Sequence, residues 1–376
     1  MGWDRGIAVA AAVVLVAAGA AGCTGTSAGK TAGTTPAAEA TRPSAPPAPP
    51  LVIAQAEAEK VFSRFEWERR TPAGWKPADG MANVATGPLL AEWKANAAIR
   101  ALRNWPGTST TSLVKPSFVI PAERDQPSHP RFFVALSKAN GWEDGPATAV
   151  HYFVQEAPGG EWKAAVETWM ATAAPASPES ESVARFAATT VQLRKTPVAA
   201  AGRDAAGAAV LSPTADADRT VCGRFADYTS FTTPDKPENE HFAPGPLTDE
   251  MIGKLAEMPK APELNGLARY SFEHEVTGPR LPVLKLDNGA SLVACPLLRT
   301  EEVRGKSATV SFTFDEDSER GALLNTKGKK WRSSEAKLSL TALIEVPPAG
   351  DSGPAQMAAC NCLEPQLLEI SGKRAD

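Results

Sequence analysis

Histidine, cysteine and one basic-aromatic cluster are the residue types in this 376-residue chain with the means to do chemistry. His151 lies in Val150-His151-Tyr152-Phe153-Val154, where two-residue alternation places it on one face with Phe153. These two are the candidate lining of a pocket. His274 shares a face with Phe272 and Val276, and Glu273 and Glu275 face away. Spacing sets no carboxylate opposite either ring, so neither reads as half of an acid-base pair. His129 and His241 sit among prolines. We therefore expect no catalytic residues, no cofactor and no metal: Cys-x-x-Cys with a matching histidine pair does not occur. Asp315-Glu316-Asp317 with Glu319 lacks the glycine and spacing of a calcium loop and reads as a solvated turn. Lys329-Lys330-Trp331 is the candidate surface contact, suited to anionic lipid or wall polymer if the three project from one loop. Gly25-Thr26-Ser27-Ala28-Gly29 has the pattern of a nucleophile elbow, and Ala28-Gly29-Lys30-Thr31 that of a P-loop tail. Neither follows a strand, so both belong to linker.

Four cysteines, Cys222, Cys295, Cys360 and Cys362, fall in the second half, an even number that reads as two disulfides in an exported protein. Cys360 and Cys362 are so near in sequence that pairing them implies strain, which leaves the two connectivities that cross-link them to Cys222 and Cys295. The fifth, Cys23, ends Ala20-Ala21-Gly22-Cys23 behind an apolar run from Ile7 to Ala18. This order of parts resembles a bacterial lipoprotein signal with its lipobox. The resemblance implies removal of residues 1–22 and a lipidated Cys23, hence a protein held at the outer face of the cell membrane. A permanent spanning helix is the weaker reading, because it needs about 20 strongly apolar residues and 6–22 are mostly Ala, Gly and Val.

The elements that must position these residues follow from composition and periodicity. Residues 23–50 are Thr-, Ala- and Pro-rich, end in Pro46-Pro47-Ala48-Pro49-Pro50, and cannot bury a core. The remainder suits two domains, 51–212 and 213–376. The net charge of −4 and the lack of a basic block argue against a nucleic-acid partner. Apolar spacing predicts helices over 51–70 and 88–103, then strands over 112–120, 131–137, 148–155, 162–170 and 183–193. Residues 171–180 read as a loop and 199–209 as a flexible tract. Trp93 fits a buried helix face, whereas Trp67, Trp75, Trp105 and Trp142 fall near helix ends or loops.

The pattern then restarts. Ala56-Glu57-Ala58-Glu59-Lys60 before Val61-Phe62-Ser63-Arg64-Phe65 is echoed by Ala215-Asp216-Ala217-Asp218-Arg219 before Val221-Cys222-Gly223-Arg224-Phe225, and Gly87-Pro88-Leu89 by Gly245-Pro246-Leu247. Strands are predicted over 267–276, 283–286, 291–298, 309–314, 337–346 and 367–370, with Asp287-Asn288-Gly289 as a type I′ hairpin signal. The fold class is α+β: two tandem domains, each with N-terminal helices packed on a curved antiparallel sheet. This layout resembles the NTF2-like or cystatin-like roll, and the chain is similar to actinobacterial lipoproteins of unknown function that carry two such units behind a tether. The resemblance implies fold and place; the anchor, the tether, the repeat and the lack of a catalytic set together lead us to expect a non-catalytic binding or scaffolding module whose partner is an envelope protein or glycan. The alternatives are a small-ligand binder or enzyme that uses one cone, with His151 in its lining, or a wall-polymer binder.

Overall fold

The computed structural model describes residues 49–70, 80–103, 111–141, 143, 145, 147–171, 197–260, 266–325, 329–362 and 364–375. The anchor segment with Cys23, nearly all of the tether, the loop after 171, the strand predicted over 183–193, and Trp75, Trp105 and Trp142 lie outside them. From Ala48 onward the chain forms one compact α+β unit with two antiparallel sheets.

In the first half, helices α1 (Gln55–Arg70) and α2 (Gly87–Arg103) precede strands β1 (Leu113–Val119), β2 (Arg131–Ala139), β3 (Ala147–Gln155) and β4 (Lys163–Ala171). The strands pair in chain order as a meander and curl into a half-barrel. The predicted helices and strands match within a few residues. Both faces of the sheet are buried, which explains the near-continuous apolar sequence of β2 and β3. Phe118, Phe133, Ala135, Ala149 and Phe153 face α1 and α2, where they pack on Phe62, Phe65 and Leu89. Val134, Val150, Tyr152 and Val154 face the other way, onto residues of the second sheet.

In the second half, helices α3 (Ala215–Asp218), α4 (Thr220–Thr229) and α5 (Asp249–Glu257) accompany β5 (Phe231–Thr232), β6 (Ala268–Val276), β7 (Leu284–Lys285), β8 (Ser291–Gly305), α6 (Glu319–Leu324), β9 (Trp331–Val346), β10 (Gln356–Cys360) and β11 (Gln366–Arg374). The sheet order is β10-β9-β8-β6-β5, with β11 also on β9 and β7 on β8. Long antiparallel pairing of β8 with β9, from Ser291–Val346 to Arg304–Ser333, forms its spine. Sequence reasoning made both strands too short, since charged residues from Arg299 onward interrupt the apolar signal. It missed β5 and β10, and the strand expected over 309–314 is reduced to a single bridge from Phe312 to Trp331.

Two local expectations are corrected. The Asp287-Asn288-Gly289 hairpin is present, with Leu286 N donating to Ala290 O at 2.8 Å. Only Gly289 among the three has positive φ, +83°, so the connection is a three-residue loop ending in a left-handed glycine and not type I′. The tract over 199–209, expected to be flexible, is stitched to both sheets. Gly202 N donates to Lys285 O (2.7 Å), Asp287 N to Ala200 O (2.9 Å), and Ala209 N to Ile120 O (2.9 Å). Backbone hydrogen bonding, which composition does not report, orders this alanine-rich strap.

Candidate functional site

The cone side of the first sheet gathers one cluster of charged residues. Strand alternation turns His151 toward α1, and the β3–β4 register sets Glu167 opposite it. His151 Nε2 lies 3.7 Å from Glu167 Oε2. On α1, Glu66 and Arg69 share a face through their three-residue spacing: Arg69 Nε donates to Glu66 Oε2 at 2.8 Å, and Arg69 also donates to Thr111 O at 2.6 Å. Glu66 Oε1 accepts from Leu113 N at 2.7 Å. This pair therefore ties α1 to the start of β1. From α2, Glu92 accepts a hydrogen bond from Ser339 Oγ of β9 at 2.7 Å, which links the two halves.

Two carboxyls of this cluster, Glu92 and Glu167, titrate far apart. Burial opposes ionisation of Glu167, but adjacent His151 and the Arg69 guanidinium outweigh it and hold its carboxyl at about 2. Burial pushes Glu92 up to about 7, against the Ser339 hydrogen bond and with help from the Glu167 charge. The cluster thus keeps an ionised carboxylate beside one that retains a proton near neutrality, the electrostatic layout of many acid-base sites and also of structural ion-pair networks.

Access decides what such a layout can do. His151 is fully buried, its ring meeting those of Phe65 at 5.1 Å and Phe62 at 5.9 Å between centroids. Phe153 is fully buried as well, stacked on Phe133 at 4.8 Å. Aromatic side chains fill the cone where the pocket was expected. Neither ring nitrogen of His151 has a hydrogen-bond partner among the described residues.

The second half holds a buried Arg-Glu-Arg triad. Glu301 of β8 accepts from Arg299 at 3.1 Å and from Arg320 of α6 at 2.6 Å, with no exposed surface of its own. Arg299 also reaches Cys362 O at 3.3 Å and lies over the Phe272 ring at 5.6 Å. The β6–β8 register sets His274 opposite Arg299. Burial, with the Arg299 charge, pushes His274 down to about 3, so the ring is neutral at physiological pH.

Two further candidates are corrected. Trp331 does not project with Lys329 and Lys330: it begins β9, is 5% exposed and packs in the second-half core, while Lys330 is exposed. The cue was ambiguous because Trp331 follows lysines yet opens an apolar alternation. Cys222 of α4 is bonded to Cys295 of β8, and Cys360 to Cys362. This is the connectivity that sequence proximity had excluded. Where β10 ends, the backbone holds the Cys360 and Cys362 Cα atoms 5.1 Å apart, inside the range a disulfide spans.

Surface features complete the inventory. Trp67 is 69% exposed beside a groove of about 540 Å3 that Leu113 and Pro116 help to line. A second groove, of about 730 Å3, runs between His241, Arg224 and the proline-rich loop 347–355. Among the described residues no group of three or more His, Cys, Asp or Glu is arranged to hold a metal. The acidic turn instead receives Arg103, which donates to Glu316 O at 2.7 Å. Glu66, Arg69, Glu92 and Glu167 were not singled out from sequence. The available cue was charge at positions where the local alternation points inward. No family model, curated protein or solved structure matches the chain.

Proposed function

We propose that this chain is an exported lipoprotein, anchored through Cys23 to the outer face of the cell membrane, that acts as a non-catalytic binding or scaffolding module of the envelope. The observation that carries the reading is the Cys222–Cys295 disulfide inside the folded unit. Such bonds persist in oxidising, extracytoplasmic compartments. The Ala20-Ala21-Gly22-Cys23 segment and the proline-rich tether before the folded unit agree with it. We read the halves as diverged copies of an NTF2-like or cystatin-like roll, supported by the antiparallel sheet with packed helices in each, the second copy differing in that α5 and α6 interrupt its strands and β11 returns to β9. The buried environment of His151 favours a packing role for that ring over a ligand-lining one.

The test is metabolic labelling of producing cells with an alkyne fatty acid, followed by membrane fractionation and crosslinking. The wild type should carry label in the membrane fraction and Cys23→Ala should carry none, and a defined envelope protein or glycan should crosslink to the anchored form. An unlabelled cytosolic chain with reduced Cys222 and Cys295 would refute the assignment, as would turnover of an ester, glycan or peptide substrate by the purified protein.

A further inference from the structure

Between the two sheets lies a partly enclosed cavity of about 320 Å3. Its first wall is the outer face of the half-barrel, with Val134, Val150 and Met170. Its second wall comes from Leu284, Leu286 and Leu292 of the β7–β8 hairpin. The strap closes one side with Val198 and three alanines, and Arg203 and Ser117 stand at the rim, both exposed. Protein interiors rarely leave voids larger than a water molecule. Most of this cavity's lining is aliphatic, with Arg203 and Ser117 on the open side, so water reaches the rim but finds few of the two to four polar partners that would order it deeper in. Displacing such poorly held water with an apolar group favours binding. The volume falls at the small end of the ~300–1,000 Å3 found for small-molecule sites, which are largely apolar with a few placed polar groups.

Arg203 is the placed polar group. Its Nη2 donates to Phe118 O at 2.9 Å and its Nη1 to Gly207 O at 2.8 Å, so the backbone of β1 and of the strap holds the guanidinium in place. Five N–H donors are available to an arginine, so donors remain. No carboxylate pairs with Arg203 among the described residues, unlike neighbouring Arg124, which bonds Asp204. A fixed guanidinium with spare donors suits a carboxylate.

We propose that this cavity binds one aliphatic chain bearing a carboxylate, with the chain between the sheets and the headgroup on Arg203. The alanines of the strap keep the mouth open, since a larger side chain at Ala199 or Ala201 would fill it. The proposal deepens the binding-module reading by naming a ligand class, and it does not depend on the anchor. Absence of label at Cys23 and absence of binding in the cavity are separate failures.

The probes are decanoate, decanol and acetate, titrated by calorimetry into the full chain carrying Cys23→Ala, which has no acyl group of its own. One decanoate should bind per chain and acetate should not. Ala199→Phe should weaken decanoate and decanol alike by at least tenfold. Arg203→Gln should weaken decanoate about tenfold and leave decanol unchanged, a split that loss of folding does not produce. Val150→Phe, which fills the cavity from the sheet side, repeats the Ala199 test if that variant fails to fold. No saturable binding of either ten-carbon probe, or undiminished binding in the cavity-filling variants, would overturn the proposal. Equal losses of decanoate and decanol in Arg203→Gln would overturn the role of Arg203.

Discussion

Removing the Cys222–Cys295 disulfide should cost far more stability than removing Cys360–Cys362, although both lie in the same half of the chain. The first bond closes a loop of 73 residues and the second spans two positions. Loop-closure entropy in the unfolded chain scales with the logarithm of loop length, which gives ~4 kcal/mol for the long loop and only ~1 kcal/mol for the short one. Cys295 is fully buried and Cys222 nearly so, both in the second-half core, so lost packing adds to the entropic term in Cys222→Ala/Cys295→Ala. Unfolding entropy is about 2.1 cal/mol/K per residue. Over the roughly 330 residues of the folded unit, ~4 kcal/mol is then a fall of about 6 °C in Tm. The assay is thermal and guanidinium unfolding, followed by circular dichroism, of the two double variants and the wild type. A loss below about 1 kcal/mol from Cys222→Ala/Cys295→Ala, or equal losses from both variants, would show that the unfolded chain gains little freedom when the long loop opens. That result would refute the reasoning.

Three further outcomes are expected. Because the folded-state value of Glu92 is raised from 4.5 to about 7, the native state binds the extra proton and stability falls as pH rises through that window. Glu92→Gln should flatten this part of the profile, whereas a curve unchanged from wild type would count against the buried proton. Glu167, depressed from 4.5 to about 2, contributes stability that is present above pH 4.5 and lost as pH falls toward 2, so Glu167→Gln should destabilise at neutral pH and narrow the difference from wild type in acid. Glu301→Gln leaves the buried Arg299 and Arg320 guanidiniums without their carboxylate and should cost roughly 3–5 kcal/mol in denaturant titrations; a loss under 1 kcal/mol would mean that water reaches the triad.

Much of the first half is legible in sequence because its signals are local. Phe62 and Phe65 on α1 and the alternating apolar residues of β2 and β3 encode burial at periods that need no knowledge of partners. The strap and the long β8–β9 spine were harder. Residues 198–209 carry no periodicity and are ordered by backbone bonds to Ile120, just past β1, and to Lys285 of β7. Arg299 and Glu301 look like solvent-facing charges until Arg320 arrives from α6 to share Glu301.

The sequence by itself determined that α1 and α2 precede a meander and that four cysteines are available for cross-links. Tertiary structure decided which of these residues meet. Strand register set His151 against Glu167 and buried the His151 ring among phenylalanines, the end of β10 brought Cys360 to Cys362, and β9 drew Trp331 inward. It also left the aliphatic cavity between the sheets. Periodicity specifies which way a side chain faces, whereas pairing register and the packing of one sheet on another depend on contacts between residues far apart in the chain.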